Sequence, residues 1–286
     1  MQHVFEAKKL PKDKKNLVGL DLEQQMLKEF CSLVWSEQWL DVSKKFNFMP
    51  TILLYGPPGT GKTTLLQNIP LDFVEYNIEY YRESLDLLAN KELGETSKAI
   101  KKLFEELKEQ ASCGKRVLLQ IDDVDSLLSS RYLTNESSGI RRAVNTFLTQ
   151  LDELLLSDLQ MMPIIAASTN MFDYLDSAVK RRFSLKLEIL PLLSEDNIKD
   201  LLDPLIKIIN SDVKIDIKKV SDIVSEKKLT PNDLMLIMQK AYLDNLVRGK
   251  FSEKKLLDLM SLAESSQNTF DQQRDNFSML RKKDNA

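Results

Sequence analysis

The sequence predicts an α/β protein: a parallel sheet covered by helices on both faces, followed by a small all-helical domain. Two observations predict it. Over the first 190 residues, short apolar runs bounded by turn residues alternate with amphipathic helical stretches, the pattern of buried parallel strands in a layered domain. After Pro191 no strand-like run remains, and helical stretches follow one another. The expected boundary therefore divides the chain into domains 1–190 and 191–286.

Taken in order, residues 17–46 carry helical periodicity through Leu20, Met26, Leu27, Phe30, Leu33 and Val34. Trp35 and Trp39, spaced one turn apart, are expected on one face of that helix. Residues 51–55 read as a strand, 56–64 as a Gly- and Pro-rich turn and 65–69 as a short helix. A second strand is expected at 73–76. Residues 97–111 form an amphipathic helix stopped by Gly114. Then come a strand at 117–121, a helix at 139–156 and strands at 164–168 and 185–189. Helices are expected at 197–209, 215–224, 231–247 and 254–263, with 264–286 a polar last helix or tail.

Composition mainly excludes. Among the 286 residues there is one histidine, His3, so a histidine triad, a His-rich metal site or an imidazole base is not expected. The balance of 40 Lys+Arg against 43 Asp+Glu, net −3, offers no global positive field for nucleic acid. Cys31 and Cys113 fit no metal or redox spacing and read as reduced thiols of a cytoplasmic protein. The apolar runs fall far short of the roughly 20 residues a membrane-spanning helix requires, so no transmembrane segment is expected.

The turn after the first strand reads Gly56-Pro57-Pro58-Gly59-Thr60-Gly61-Lys62-Thr63-Thr64, which contains the phosphate-loop pattern G-x-x-x-x-G-K-T. Its glycines let backbone N–H groups turn inward around a phosphate, and the following helix start adds its dipole. Lys62 reaches the β- and γ-oxygens, and Thr63 offers a hydroxyl to Mg²⁺. The strand 117–121 ends in Asp122 and Asp123, where a parallel sheet opens into its ligand crevice. Asp122 suits Mg²⁺ held through water, and Asp123 suits orienting or deprotonating an attacking water. The nearest match to a guanine-reading Asn-Lys-x-Asp is Asn90-Lys91-Glu92-Leu93, which lacks the final acid, so ATP is the expected nucleotide. Asn170, at the tip of the strand 164–168, can hydrogen-bond the γ-phosphate or the lytic water. Arg181 and Arg182, between a short helix and a strand, fit either salt-bridged surface groups or arginine fingers acting in trans.

Together these pieces resemble the AAA family of ATPases. Gly56–Thr63 is similar to its Walker A segment and Ile121-Asp122-Asp123-Val124-Asp125 to its Walker B. Asn170 matches the sensor-1 residue, Arg181 and Arg182 the finger pair, and Val18-Gly19-Leu20 the segment that lies along adenine. Within the family the chain is most similar to the clade of the ESCRT-III-disassembling vacuolar-sorting ATPase, katanin, spastin and fidgetin. The segment Leu175-Asp176-Ser177-Ala178 with Arg181-Arg182-Phe183 carries that similarity. So do Asn135-Glu136-Ser137, Arg141-Arg142 and Phe147-Leu148-x-Gln150-Leu151-Asp152. The resemblance implies a P-loop three-layer domain with a helical lid, and a hexameric ring with other AAA subunits, homomeric or mixed. It also implies nucleotide at subunit interfaces and mechanical work on a polypeptide substrate.

Three departures qualify the resemblance. Asp123 stands where the clade carries Glu, which predicts slow turnover, with Asp123→Glu raising it. The pore loop reads Lys91-Glu92-Leu93-Gly94-Glu95, with Glu92 in place of the gripping aromatic and Tyr80 and Tyr81 out of register upstream. The lid helix opens with Thr230-Pro231-Asn232-Asp233 where Ser-Gly-Ala-Asp is usual, a sequence that still caps a helix. Two functions stay open: an ATP-driven remodeller of protein complexes, and a degenerate subunit that binds ATP as a switch with little hydrolysis.

Overall fold

The computed structural model describes residues 6–10, 12–84, 95–125, 138–157, 159, 161–210, 212–249, 251–272 and 274–275. The chain falls into two compact units. The first comprises Met1–Lys15, Leu22–Gly56 and Lys62–Glu188; the second comprises Asn16–Asp21, Pro57–Gly61 and Ile189–Ala286.

The first unit holds a five-stranded sheet in the order β2-β3-β4-β1-β5, every neighbouring pair parallel. Its strands are β1 (Thr51–Tyr55), β2 (Glu79–Ser84), β3 (Val117–Asp122), β4 (Ile164–Thr169) and β5 (Leu185–Glu188). β4 is buried along its whole length, and β1 and β3 are buried at all but their last residue, as strands covered on both faces must be. Helices α1 (Asp21–Val34), α2 (Trp39–Phe46), α3 (Lys62–Asn68), α4 (Glu95–Ser112), α5 (Ser138–Leu155) and α6 (Ser177–Arg181) connect or flank them. The α4–α5 packing carries an edge-to-face pair, Phe104 and Phe147, with ring centroids 5.8 Å apart.

Two local expectations are corrected. Residues 73–76 are not a strand: Ile69–Tyr76 is a kinked 3₁₀ helix with Pro70 in its first turn. Val74 and Tyr76 are exposed beside the buried Phe73, so the segment lacks a strand's buried face. Asn77 then turns left-handed at φ 47°, and the strand begins at Glu79. Trp35 and Trp39 do not share a helix face either, because α1 ends at Val34 and α2 starts at Trp39. Both are nevertheless buried, Trp35 edge-on to Phe73 at 5.3 Å and Trp39 edge-on to Phe30 at 6.4 Å.

The second unit is helical: α7 (Glu195–Ile209), α8 (Ile217–Lys227), α9 (Pro231–Arg248) and α10 (Glu253–Leu262). Each begins at a side-chain cap, respectively Ser194, Asp216, Thr230 and Ser252, which satisfies amides that helix starts leave unpaired. Thr230 and Asp233 form a reciprocal capping box, so the altered lid motif keeps its helix start. Ile198, Leu202, Val220, Leu234, Leu256 and Met260 form the heart of this unit's core. No helix among the described residues is long and apolar enough to cross a membrane.

Candidate nucleotide site

In the first unit, register brings the predicted polar residues to one end of the sheet. Tyr55 pairs with Thr169, so Gly56 and Asn170 leave β1 and β4 at the same level. Ile121 pairs with Ala167, which puts Asp122 beside Ser168. The side chains confirm the alignment: Ser168 Oγ donates to Asp122 Oδ1 at 3.3 Å, and so does Thr63 Oγ1 at 3.3 Å. The two residues predicted to serve a metal, Thr63 and Asp122, are therefore hydrogen-bonded across the 59 residues that separate them. A hydroxyl and a carboxylate so placed fit Mg²⁺, which takes few protein oxygens and keeps waters.

Lys62 opens α3 and is 7% exposed. Its Nζ donates to the Gly56 carbonyl at 2.9 Å, folding the side chain back toward the strand end. Burial lowers its pKa to about 8, and the charges of Asp123 and Asp125 oppose that fall. A desolvated ammonium favours an anionic partner such as a phosphate, which supplies the compensation burial removes.

Asp123 is exposed, and its backbone takes the left-handed value φ 48°. Aspartate and asparagine tolerate that region better than longer side chains do. The shorter acid in place of the clade's Glu thus has a local backbone correlate. Asp125 accepts the Thr169 hydroxyl, and Thr169 Oγ1 accepts the Met171 N–H at 2.9 Å. This brace holds the turn that carries Asn170, which is half-buried.

The two arginines differ. Arg182 makes a bidentate pair with Asp152, Nε to Oδ1 at 2.8 Å and Nη2 to Oδ2 at 2.7 Å, and its pKa rises through that bond. Arg181 is exposed and its Nε donates to the Ser177 carbonyl at 3.2 Å. Helix α6 starts at the Asp176 cap and ends with Arg181, and Arg182 is its C-cap. The turn after it is tied to β1, since Thr51 Oγ1 donates to the Arg182 carbonyl at 2.6 Å.

The second unit holds the middle of the phosphate loop. Thr60 Oγ1 donates to the Pro57 carbonyl at 3.0 Å, closing the loop on itself; Pro58 lies between them, exposed. Gly59 has φ 78°, its carbonyl accepts the Asn232 N–H at 3.3 Å, and a Cβ there would come within 2.7 Å of the Asn232 Cβ. Only glycine fits. Gly61 also has positive φ. Val18 is half-buried, and the carbonyl of the next residue, Gly19, accepts the Leu192 N–H at 2.9 Å. A Cβ on Gly19 would sit 2.1 Å from the Leu192 carbonyl oxygen. Thr64, one residue after Thr63, lies half-buried in α3 of the first unit.

Residues 52–190 match the family described as ATPase family associated with various cellular activities (AAA). The chain carries an AAA domain. It is 34% identical over 180 residues to vacuolar protein sorting-associated protein 4A of Rattus norvegicus, covering 63% of this chain. It is 30% identical over 177 residues to a Bifidobacterium adolescentis protein named AAA ATPase forming ring-shaped complexes, covering 60% of this chain. These matches span 39% and 33% of the relatives' own lengths. The fold aligns with the solved FIGL-1 AAA domain at a TM-score of 0.66, with 21% identity, over 92% of this chain and 88% of that one.

Sequence reading missed Arg82, which sits on Asp122, because the strand that carries it was placed too early. It also passed over Gln120, although an amide inside the apolar run Val117–Asp122 was a signal in plain view. The segment 91–94 of the expected pore loop and residues 135–137 lie outside the described residues.

Proposed function

We propose that this AAA domain binds and hydrolyses ATP, and that the protein works as a ring, a hexamer of like or mixed subunits, remodelling or disassembling protein complexes in the cytoplasm. One observation carries the reading. At a single sheet end, a buried Lys62 lies within the field of Asp123, while Thr63 is bonded to Asp122. That set supplies a phosphate cation, a metal pair and a separate exposed acid. At the sheet end Gly56, Lys62, Thr63 and Thr64 would hold the phosphates. Thr63 and Asp122 would hold Mg²⁺, whose charge, when bound, offsets that of the phosphates.

In this reading Asp123 orients the attacking water and takes its proton, and Asn170 fixes the water or the γ-phosphate by hydrogen bonding. The exposed Arg181 is the better candidate for reaching a neighbouring subunit, while Arg182, pinned by Asp152, holds the turn that presents it. The ring is supported by that exposed arginine and by the name of the Bifidobacterium relative. Slow turnover follows from the short Asp123 side chain.

A second reading, an ATP-bound switch with little hydrolysis, is favoured by the Arg82 guanidinium bonded to Asp122 at 2.7 Å. The test is fluorescent-ATP binding alongside steady-state hydrolysis, for the wild type and Lys62→Ala. The motor reading expects the wild type to bind and turn over ATP and Lys62→Ala to do neither. Binding without turnover selects the switch, and no binding overturns both.

A further inference from the structure

Asp122 accepts four side-chain hydrogen bonds at the sheet end. Its Oδ1 accepts the Gln120 amide at 2.9 Å together with the Thr63 and Ser168 hydroxyls at 3.3 Å. Gln120 is wholly buried, and its own carbonyl oxygen accepts the Tyr80 hydroxyl at 2.6 Å. Burial pushes the Tyr80 phenol to about 12, so it stays protonated and keeps donating. These are neutral donors that fix the carboxylate's orientation. The remaining oxygen, Oδ2, accepts Arg82 Nε at 2.7 Å.

Register explains the reach. Arg82 pairs with Gln120 across β2 and β3, so its side chain rises on the Gln120 face and meets the next residue on that face, Asp122. The Arg82 side chain is 44% exposed against 15% for Asp122, which makes it the charged and removable partner in an otherwise fixed shell.

We propose that Arg82 is a displaceable counter-ion of Asp122 that sets the Mg²⁺ requirement of the nucleotide site. The proposal rests on the nucleotide reading above. A cation already bonded to Oδ2 repels an incoming divalent ion and takes the lone pairs its water needs. Without metal, the same guanidinium neutralises Asp122 and spares the triphosphate a bare carboxylate. Arg82 therefore favours metal-free nucleotide and opposes metal, two effects of opposite sign from one charge. The half-exposed Arg82 side chain has solvent to move into when the bond to Asp122 breaks.

The experiment measures binding of a fluorescent, non-hydrolysable ATP analogue at buffered Mg²⁺ concentrations, for the wild type, Arg82→Gln and Arg82→Lys. In Arg82→Gln the metal-free affinity falls, and the Mg²⁺ concentration at half-saturation also falls, each on the order of threefold, the size a half-exposed ion pair carries. Arg82→Lys keeps the charge and stays near the wild type on both readouts. A merely structural role for Arg82 would weaken binding with and without metal alike. An unchanged or raised Mg²⁺ midpoint in Arg82→Gln overturns the inference, as does Arg82→Lys behaving like Arg82→Gln. Wild-type protein that binds no analogue overturns the nucleotide reading and the inference together, whereas binding with equal midpoints overturns the inference alone.

Discussion

The end of β3 and the end of α6 each present two like charges in succession, and the two places treat them by the same rule. Asp122 is held by Thr63, Gln120, Ser168 and Arg82, while Asp123 is exposed on a left-handed backbone. Arg182 is gripped on two nitrogens by Asp152, while Arg181 is exposed. In each pair one member is held by carboxylate hydrogen bonds and is less exposed, and its neighbour is the more exposed of the two. They differ in which comes first along the chain. The acid pair fixes its first member at a strand end, and the base pair fixes its second at a helix end. Adjacent identical residues are thus not interchangeable, and substituting each in turn separates reactive from supporting roles.

The largest effect is expected at the outward arginine. Arg181→Ala should lower ATP turnover by about 10³-fold, the range of a lost arginine finger, with ATP affinity and melting temperature little changed. Equal turnover in Arg181→Ala and wild type would break the division within the arginine pair. Next, Asp123→Asn keeps the left-handed backbone, which asparagine accepts, and removes only the carboxylate. Turnover should fall by about 10²-fold while binding persists. Asp123→Glu, expected from sequence to speed turnover, also meets a backbone less favourable to the longer side chain, so the Asn variant is the cleaner comparison.

A third expectation concerns Lys62 and pH. Burial lowers its pKa to about 8 from the ordinary 10.5, and bound phosphate must raise it again. ATP binding therefore takes up a proton above about pH 8, and affinity should fall by up to about tenfold per pH unit there. A flat affinity between pH 8 and 10 would show that the buried ammonium is not the phosphate's partner. The sign for stability is opposite: the cost of the buried charge is fully present below about 8 and is relieved as pH rises toward 10.5. The smallest effect is at the pinned arginine. Arg182→Ala should cost about 1 kcal/mol and about 2–4 °C in melting temperature, a thermal-unfolding measurement. It should also reduce turnover less than Arg181→Ala does.

How much of this was legible in the sequence depends on whether the signal was local. The phosphate loop is a contiguous pattern between a strand and a helix, and Lys62 and Thr63 can be read from it directly. Strands β1, β3 and β4 were legible because burial on both faces demands continuous apolar runs. β2 was not, because an edge strand reading Glu79–Ser84 carries three charges, Glu79, Arg82 and Glu83, and no continuous apolar run. Missing it also hid Arg82 and the Tyr80–Gln120 bond, which exist only through β2–β3 pairing. The inequality of Arg181 and Arg182 was equally hidden, since it depends on Asp152, 30 residues from Arg182 in the chain. The Trp35–Trp39 spacing misled because the helix breaks between them.

In the proposed function this AAA domain hydrolyses ATP with an arginine supplied by a neighbouring subunit. ATP turnover per subunit, measured as protein concentration is raised, tests it most directly. An arginine acting in trans requires a specific activity that climbs with concentration and then levels off as subunits assemble. A specific activity independent of concentration, or no hydrolysis at any concentration, would contradict it.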